Sequence, residues 1–143
     1  MTQCMSMTNK AMQVQDVMLL PNQFPSMPAT TLFKIALELM GDYRLGIACL
    51  TDSNLKLLGI LTDGDIRRRL LHDQRPFSAL FVDDAIDHAI TDPVTITPNS
   101  SLTSAVDLME KFQIWDLPVI SHDGTLMGLL HLHSAVKSLL EVS

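Results

Sequence analysis

GILTDGDIRRRL, residues 59–70, opens as an apolar run, turns through Thr62, Asp63, Gly64 and Asp65, and ends on three arginines. Sliding the chain against itself by 69 positions sets this stretch on GLLHLHSAVKSL, residues 128–139. Gly59 then meets Gly128, Leu61 meets Leu130 and Leu70 meets Leu139. The match is gapless from residues 36–71 onto 105–140, so the chain contains one supersecondary unit twice.

Outward from that stretch, each copy reads in the same way. Leu32, Ile35, Ala36, Leu39 and Met40 recur at helical spacing, as do Leu102, Ala105, Val106 and Met109, which predicts a helix with one buried face in each copy. LGIACLTD (45–52) and WDLPVIS (115–121) are apolar runs that end in a polar turn, and KLLGIL and LMGLL follow as second runs. These are paired strands, joined by Asp52, Ser53 and Asn54 in one copy and by Asp123–Gly124 in the other. A short last helix carries Ile66, Leu70 and Leu71, or Ala135, Val136, Leu139 and Leu140. Ahead of the first helices, FPSMP (24–28) and DPVTITP (92–98) are punctuated by proline and suit edge strands. Upstream the register slips by one, aligning VQDVM (14–18) with VDDAI (82–86). The expected fold is α+β, or α/β in the broad sense, with two βαββα units packed in pseudo-twofold symmetry. The expected boundaries are a flexible tail over 1–12, a first unit over 13–76 and a second over 77–143. A unit of about 60 residues is marginal alone, so the two should share a core.

Composition narrows the function. Ten Lys and Arg against sixteen Asp and Glu give a net charge of −6 with no long basic run, which argues against duplex nucleic acid as a partner. No apolar run approaches the roughly 18 residues of a membrane span, and the N-terminal stretch lacks a signal-peptide core, so neither membrane insertion nor secretion is expected. Cys4 and Cys49 stand apart with no C-x-x-C spacing, as reduced cytoplasmic thiols do. Without a G-x-S-x-G, H-E-x-x-H or phosphate-loop pattern, no catalysis by this chain alone is expected.

The turn at 62–65 has its own chemistry. Thr62 is placed to cap the following helix, whose first-turn N–H groups and dipole favour an anion. Gly64 lacks a side chain that would block a phosphate. Thr62 and Asp65, three apart, face one side, and an ionised carboxylate accepts the two hydroxyl donors of a ribose diol. Asp63 adds a second carboxylate, which Arg67 and Arg68 would offset unless they serve only solvent or the helix dipole. His131 and His133 would share a strand face, and Asp83, Asp84 and Asp87 stand at a helix start; neither group has the ligand set of a metal site. Trp115 beside Asp116 would line a cleft or a surface between molecules.

These strings in this order, with VQDVM ahead, GILTDGD closing the first strand pair and DLPVIS then HDGTLMGLLHLH in the second, resemble a pair of CBS domains over residues 13–141. GILTDGDIRR and GLLHLHSAV look most like the regulatory pair that follows the isomerase domain of arabinose 5-phosphate isomerases. A similar string occurs in pairs joined to sugar-phosphate nucleotidyltransferases. The resemblance implies a regulatory module with a cleft between the halves for a nucleotide or nucleotide sugar, such as AMP, ATP or a CMP-linked acidic sugar. It implies no required cofactor or metal, a dimer of pairs, and an attached or partner catalytic domain; the rival is a scaffold that dimerises with empty clefts. In the family's geometry Thr62, Asp63, Gly64, Asp65, Arg67 and Arg68 hold the ligand, with Ile47, Ala48, Met27 and Pro28 about the base. A second, degenerate cleft would carry His131, Ser134, Asp116 and Leu117, where the family's acid is replaced by Ser134.

Overall fold

The computed structural model describes residues 12–142. In the first half, strand β1 (Ser26–Pro28) leads to helix α1 (Phe33–Tyr43), strands β2 (Ile47–Thr51) and β3 (Leu57–Thr62), and helix α2 (Asp63–His72). The second half has helix α3 (Leu102–Phe112), strands β4 (Asp116–Ile120) and β5 (Leu126–His131), and helix α4 (Leu132–Val142). The 69-residue shift carries α1 onto α3, β2 onto β4 and β3 onto β5 end to end. It also matches the irregularity after Leu50 to the one after Val119, and the left-handed helix caps at Arg44 and Gln113.

The halves differ at the leading strand. β1 runs parallel to β2, whereas residues 92–98 make only one bridge, from Ile96 to Val119. The Cys49 N–H donates to the Pro25 carbonyl at 2.9 Å. Its mate in the second half is Pro118, which has no N–H to give, so the ladder cannot extend there.

The stretches ahead of each half are exchanged. Residues 13–19 pair with the second half through Gln13–Ser101 and Leu19–Leu129, while residues 84–90 pair with the first through Leu32–Asp84 and Ile60–Ile90. Val14 and Ala85 are both fully buried. The expected alignment of VQDVM with VDDAI therefore falls in the wrong register: the equivalent residues are 71 apart, with Gln13 matching Asp84, and Val82 is 74% exposed. The shared V-x-D pattern misled because burial here is decided by the other half's surface, not by the local string. These arms also supply what the helix starts lack. Leu32 offers no side-chain cap to α1, and the Phe33 N–H donates instead to the Asp83 carbonyl at 2.8 Å, as the Leu102 N–H does to Met12 at 2.8 Å. Met12, placed in the expected tail, is thus seated on α3, and the rest of that tail lies outside the described residues.

Between the halves Lys56 bridges its own repeat mate, Thr125, so the pseudo-twofold axis passes through the tips of the two hairpins. Phe24, Ile47, Cys49, Ile60, Leu126 and Leu129 form the core between the sheets, and each half has a second core beneath its helices. Burial pushes the Cys49 thiol up to about 12, with the Asp116 charge adding to the effect, so this cysteine is an inert apolar filler.

The glycines beneath the arms test this arrangement. A Cβ on Gly128 would lie 2.6 Å from the Leu19 carbonyl oxygen, and one on Gly59 2.8 Å from that of Ile90. In an open strand alanine replaces glycine with a gain, whereas here backbone must move. Gly59→Ala and Gly128→Ala are each expected to cost about 1–3 kcal/mol, read as a lowered urea midpoint. A midpoint that held or rose would mean that the arms do not seat there.

Candidate functional site

The loop from β3 into α2 is built by local chemistry. Thr62 keeps extended backbone while its Oγ1 accepts the Asp65 N–H at 3.2 Å, which starts the helix. The hydroxyl in turn donates to Asp65 Oδ2 at 2.6 Å, and Oδ1 accepts from the Arg68 guanidinium one turn on. Two of about four acceptor positions on this carboxylate are thereby used, and the others remain for a ligand. The expected cap is present, but not every first-turn amide is bare: the Asp63 N–H donates to Gly46 at 3.0 Å. Arg68 is 63% exposed and lies alongside Gly64, while Arg69 turns away to the Asp87 carbonyl at 2.9 Å. Among the described residues Arg67 has no carboxylate partner.

This loop opens on a cavity of about 800 Å³ between the halves. The first half contributes Gly46, Ile47, Ile60 and residues 62–65 with Arg67 and Arg68; residues 90 and 92–94 cross it, and residues 112–116 close it from the second half. The volume is that of a small-molecule pocket, typically about 300–1,000 Å³. Four carboxylates, Asp63, Asp65, Asp92 and Asp116, line it with two arginines, so it does not attract a highly charged anion.

Several expected contacts are not brought together. Ala48 follows Ile47 in β2 and so faces the other way, into the core beneath α1, where Met27 joins it; Pro28 is exposed at the sheet edge. His131, Ser134 and Leu117 do not line this cavity, and Leu117 is fully buried in the second core. Asp116, expected in a second cleft, lines the same cavity as Thr62 and Asp65. The axis explains this placement, since it sets each residue near the repeat mate of its neighbour across the cavity, and Asp116 is the mate of Ile47. The 69-residue shift records only that Asp116, Gln113 and Ile114 are the mates of Ile47, Arg44 and Leu45; that all three of the second-half residues line this cavity follows from the packing of the halves. Residues 90–94 left no such signal, because they reach the cavity through the exchanged arm.

The Asp116 carboxyl lies 2.8 Å from His131 Nδ1. Burial holds it above the usual carboxylate range, Asp63 raises it further, and the hydrogen bond from His131 pulls it partway back. The strand ends at His131 and His133 lies on α4, which corrects the expectation that the two histidines share a strand face. Among the described residues no group of three metal-ligating side chains occurs. The Asp83 carboxylate instead bonds Arg75 at 2.7 Å and His88 at 2.9 Å, and both partners hold it below the usual range.

The comparisons with known proteins agree with this geometry. Over 127 residues the chain is 28% identical to the arabinose 5-phosphate isomerase KdsD of Francisella tularensis, covering 88% of this chain and 37% of that protein. It spans between 27% and 38% of the length of this and other curated relatives it matches. The crystal structure of CBSX2, a CBS-pair protein of Arabidopsis thaliana, in complex with AMP shares the fold at a TM-score of 0.79 and 24% identity, over 91% of this chain and 97% of that one. The CBS domain pair of protein MJ0100, in complex with 5′-methylthioadenosine and S-adenosyl-L-methionine, follows at 0.75 and 16%, over 92% and 97%. Among the described residues no helix is long and apolar enough to cross a membrane. The CBS domain model matches residues 14–72 and again 82–141, nearly all of the chain, and with the repeated halves it shows that this protein belongs to the CBS domain family, as a tandem pair of CBS domains.

Proposed function

We propose that the cavity at Thr62–Asp65 binds a nucleotide or nucleotide sugar, and that its occupancy regulates an attached or partner sugar-phosphate enzyme in the cytoplasm. The observation that carries this reading is the cavity itself, roomy enough for a nucleotide, with a capped helix start and a part-satisfied carboxylate at its wall. Asp65 takes the ribose hydroxyls and Thr62 orients it. Arg67, which has no carboxylate partner among the described residues, takes a phosphate. Two arginines against four carboxylates suit one phosphate better than three. The AMP and adenosyl complexes of the structural relatives support a nucleoside ligand, and the isomerase relative supports a sugar-phosphate enzyme as host. A ligand touching both halves shifts a host only by its differential affinity for two arrangements, commonly about 1–3 kcal/mol.

A second reading, a dimerisation scaffold, is favoured by Leu71 on α2 and its mate Leu140 on α4, exposed by 78% and 71%. Both readings are compatible with a dimer of pairs. They part on ligand binding, which the scaffold does without.

The chain's single tryptophan, Trp115, lines the cavity and reports occupancy directly. Titration with AMP, CMP, GMP and UMP should change its fluorescence saturably for at least one of them, and silence across the set together with silence in calorimetry would favour the scaffold. Asp65→Ala removes charged hydrogen bonds of about 1.5–3 kcal/mol and should weaken binding about tenfold or more; unchanged affinity would remove Asp65 from the site. Arg67→Ala should weaken the nucleotide but not the matching nucleoside, and equal losses for both would show that Arg67 does not meet the phosphate.

A further inference from the structure

Asp116 poses a chemical question that the fold leaves open. Its side chain is 9% exposed, yet it lines the cavity. Oδ1 is engaged by His131, and among the described residues no protein group donates to Oδ2. The repeat mate at this position is Ile47, so a strand start of this kind does not call for an acid. Asp63, from the opposite half, pushes against its charge. Oδ2 is not sealed from solvent, so an acid held at a cost on the cavity wall leaves one acceptor open to a ligand's donor.

The rest of the cavity orients that ligand. If Thr62, Asp65 and Arg67 hold sugar and phosphate, the base lies toward the second half, against Trp115 and Asp116. Trp115 is 71% exposed and presents a face on which any base can stack. Asp116, when ionised, only accepts. Adenine sets an acceptor nitrogen beside its amino group, cytosine does the same, and uracil flanks its one N–H with two carbonyls. Guanine alone among the four presents two donors side by side, N1–H and the 2-amino group. We propose that Asp116, oriented by His131, is the specificity-determining residue of the cavity and selects a guanine nucleotide. This rests on the nucleotide reading above and goes beyond it by naming the base.

Calorimetry on the intact chain with GMP, AMP, CMP and xanthosine monophosphate tests it, repeated on Asp116→Asn and Asp65→Ala. GMP should bind about tenfold or more tighter than AMP and CMP. Asp116→Asn should lose that advantage and gain affinity for the xanthine nucleotide, whose C2 carbonyl accepts from the new amide while N1–H donates to its oxygen. AMP or CMP binding as tightly as GMP, in a way that Asp65→Ala still weakens, would overturn the guanine assignment and leave the nucleotide site standing. An unchanged base ranking in a folded Asp116→Asn would overturn the role of Asp116. Failure of every nucleotide to bind the parent would take down both readings, and if Asp116→Asn does not fold, the ranking on the parent decides.

Discussion

Everything in this structure depends on two short backbone ladders, Leu19 with Leu129 and Ile60 with Ile90, through which each half receives the arm that leads into the other. The ladders need bare backbone beneath them, and Gly59 and Gly128 provide it. They carry the arms to the starts of α1 and α3, where carbonyls from Asp83 and Met12 satisfy N–H groups that no side chain caps. A half cut from its partner would lose both its arm and the apolar layer around Ile47, Cys49, Ile60 and Leu129. The arm that ends in Ile90 and residues 92–94 itself forms part of the cavity wall, between the residues of the first half and residues 112–116 of the second.

Within the clasp the site is polar and only partly self-satisfied. Thr62, Asp65 and Arg68 form a local ring of hydrogen bonds that holds the Asp65 carboxylate still without exhausting it. Preorganisation of this kind reduces the ordering cost of binding. Asp116 is arranged in the same spirit, held through Oδ1 by His131 on the wall of the cavity. Four carboxylates in one small volume repel one another, and a sheet that needed only stability would carry apolar residues there, as Ile47 does in the first half. The contrast between Ile47 and Asp116, like that between Thr62 with Asp65 and their mates His131 and Ser134, gives the cavity a direction.

The local readings and the structure agree where burial is a property of one element. Both predicted first helices form and Thr62 caps the helix that follows it, although in the first half Leu32 is only the N-cap and it and Ile35 are exposed, the buried face being Phe33, Ala36 and Met40. Disagreement begins where two elements share a decision. Ala48 and Ile47 are neighbours in one apolar run, but strand geometry sends them to opposite faces, Ile47 to the cavity and Ala48 to the core beneath α1. His131 and His133 have strand-face spacing in the sequence, but the chain enters α4 between them. DPVTITP matched FPSMP in proline content, yet Pro118 on the neighbouring strand removed the donor that a full ladder needs.

Repetition, helical and strand periods and the capped turn at 62–65 are all set by residues near one another in the chain, so the order of elements, the twofold relation and the Thr62–Asp65 pair could be read from the amino acids alone. Which arm lies on which half, and that Asp116 faces the same hollow as Asp65, were settled only by the tertiary structure. Both depend on the fit between surfaces far apart in sequence, and no local pattern records the backbone approach at Gly59 and Gly128 or the axis through Lys56 and Thr125 that creates it.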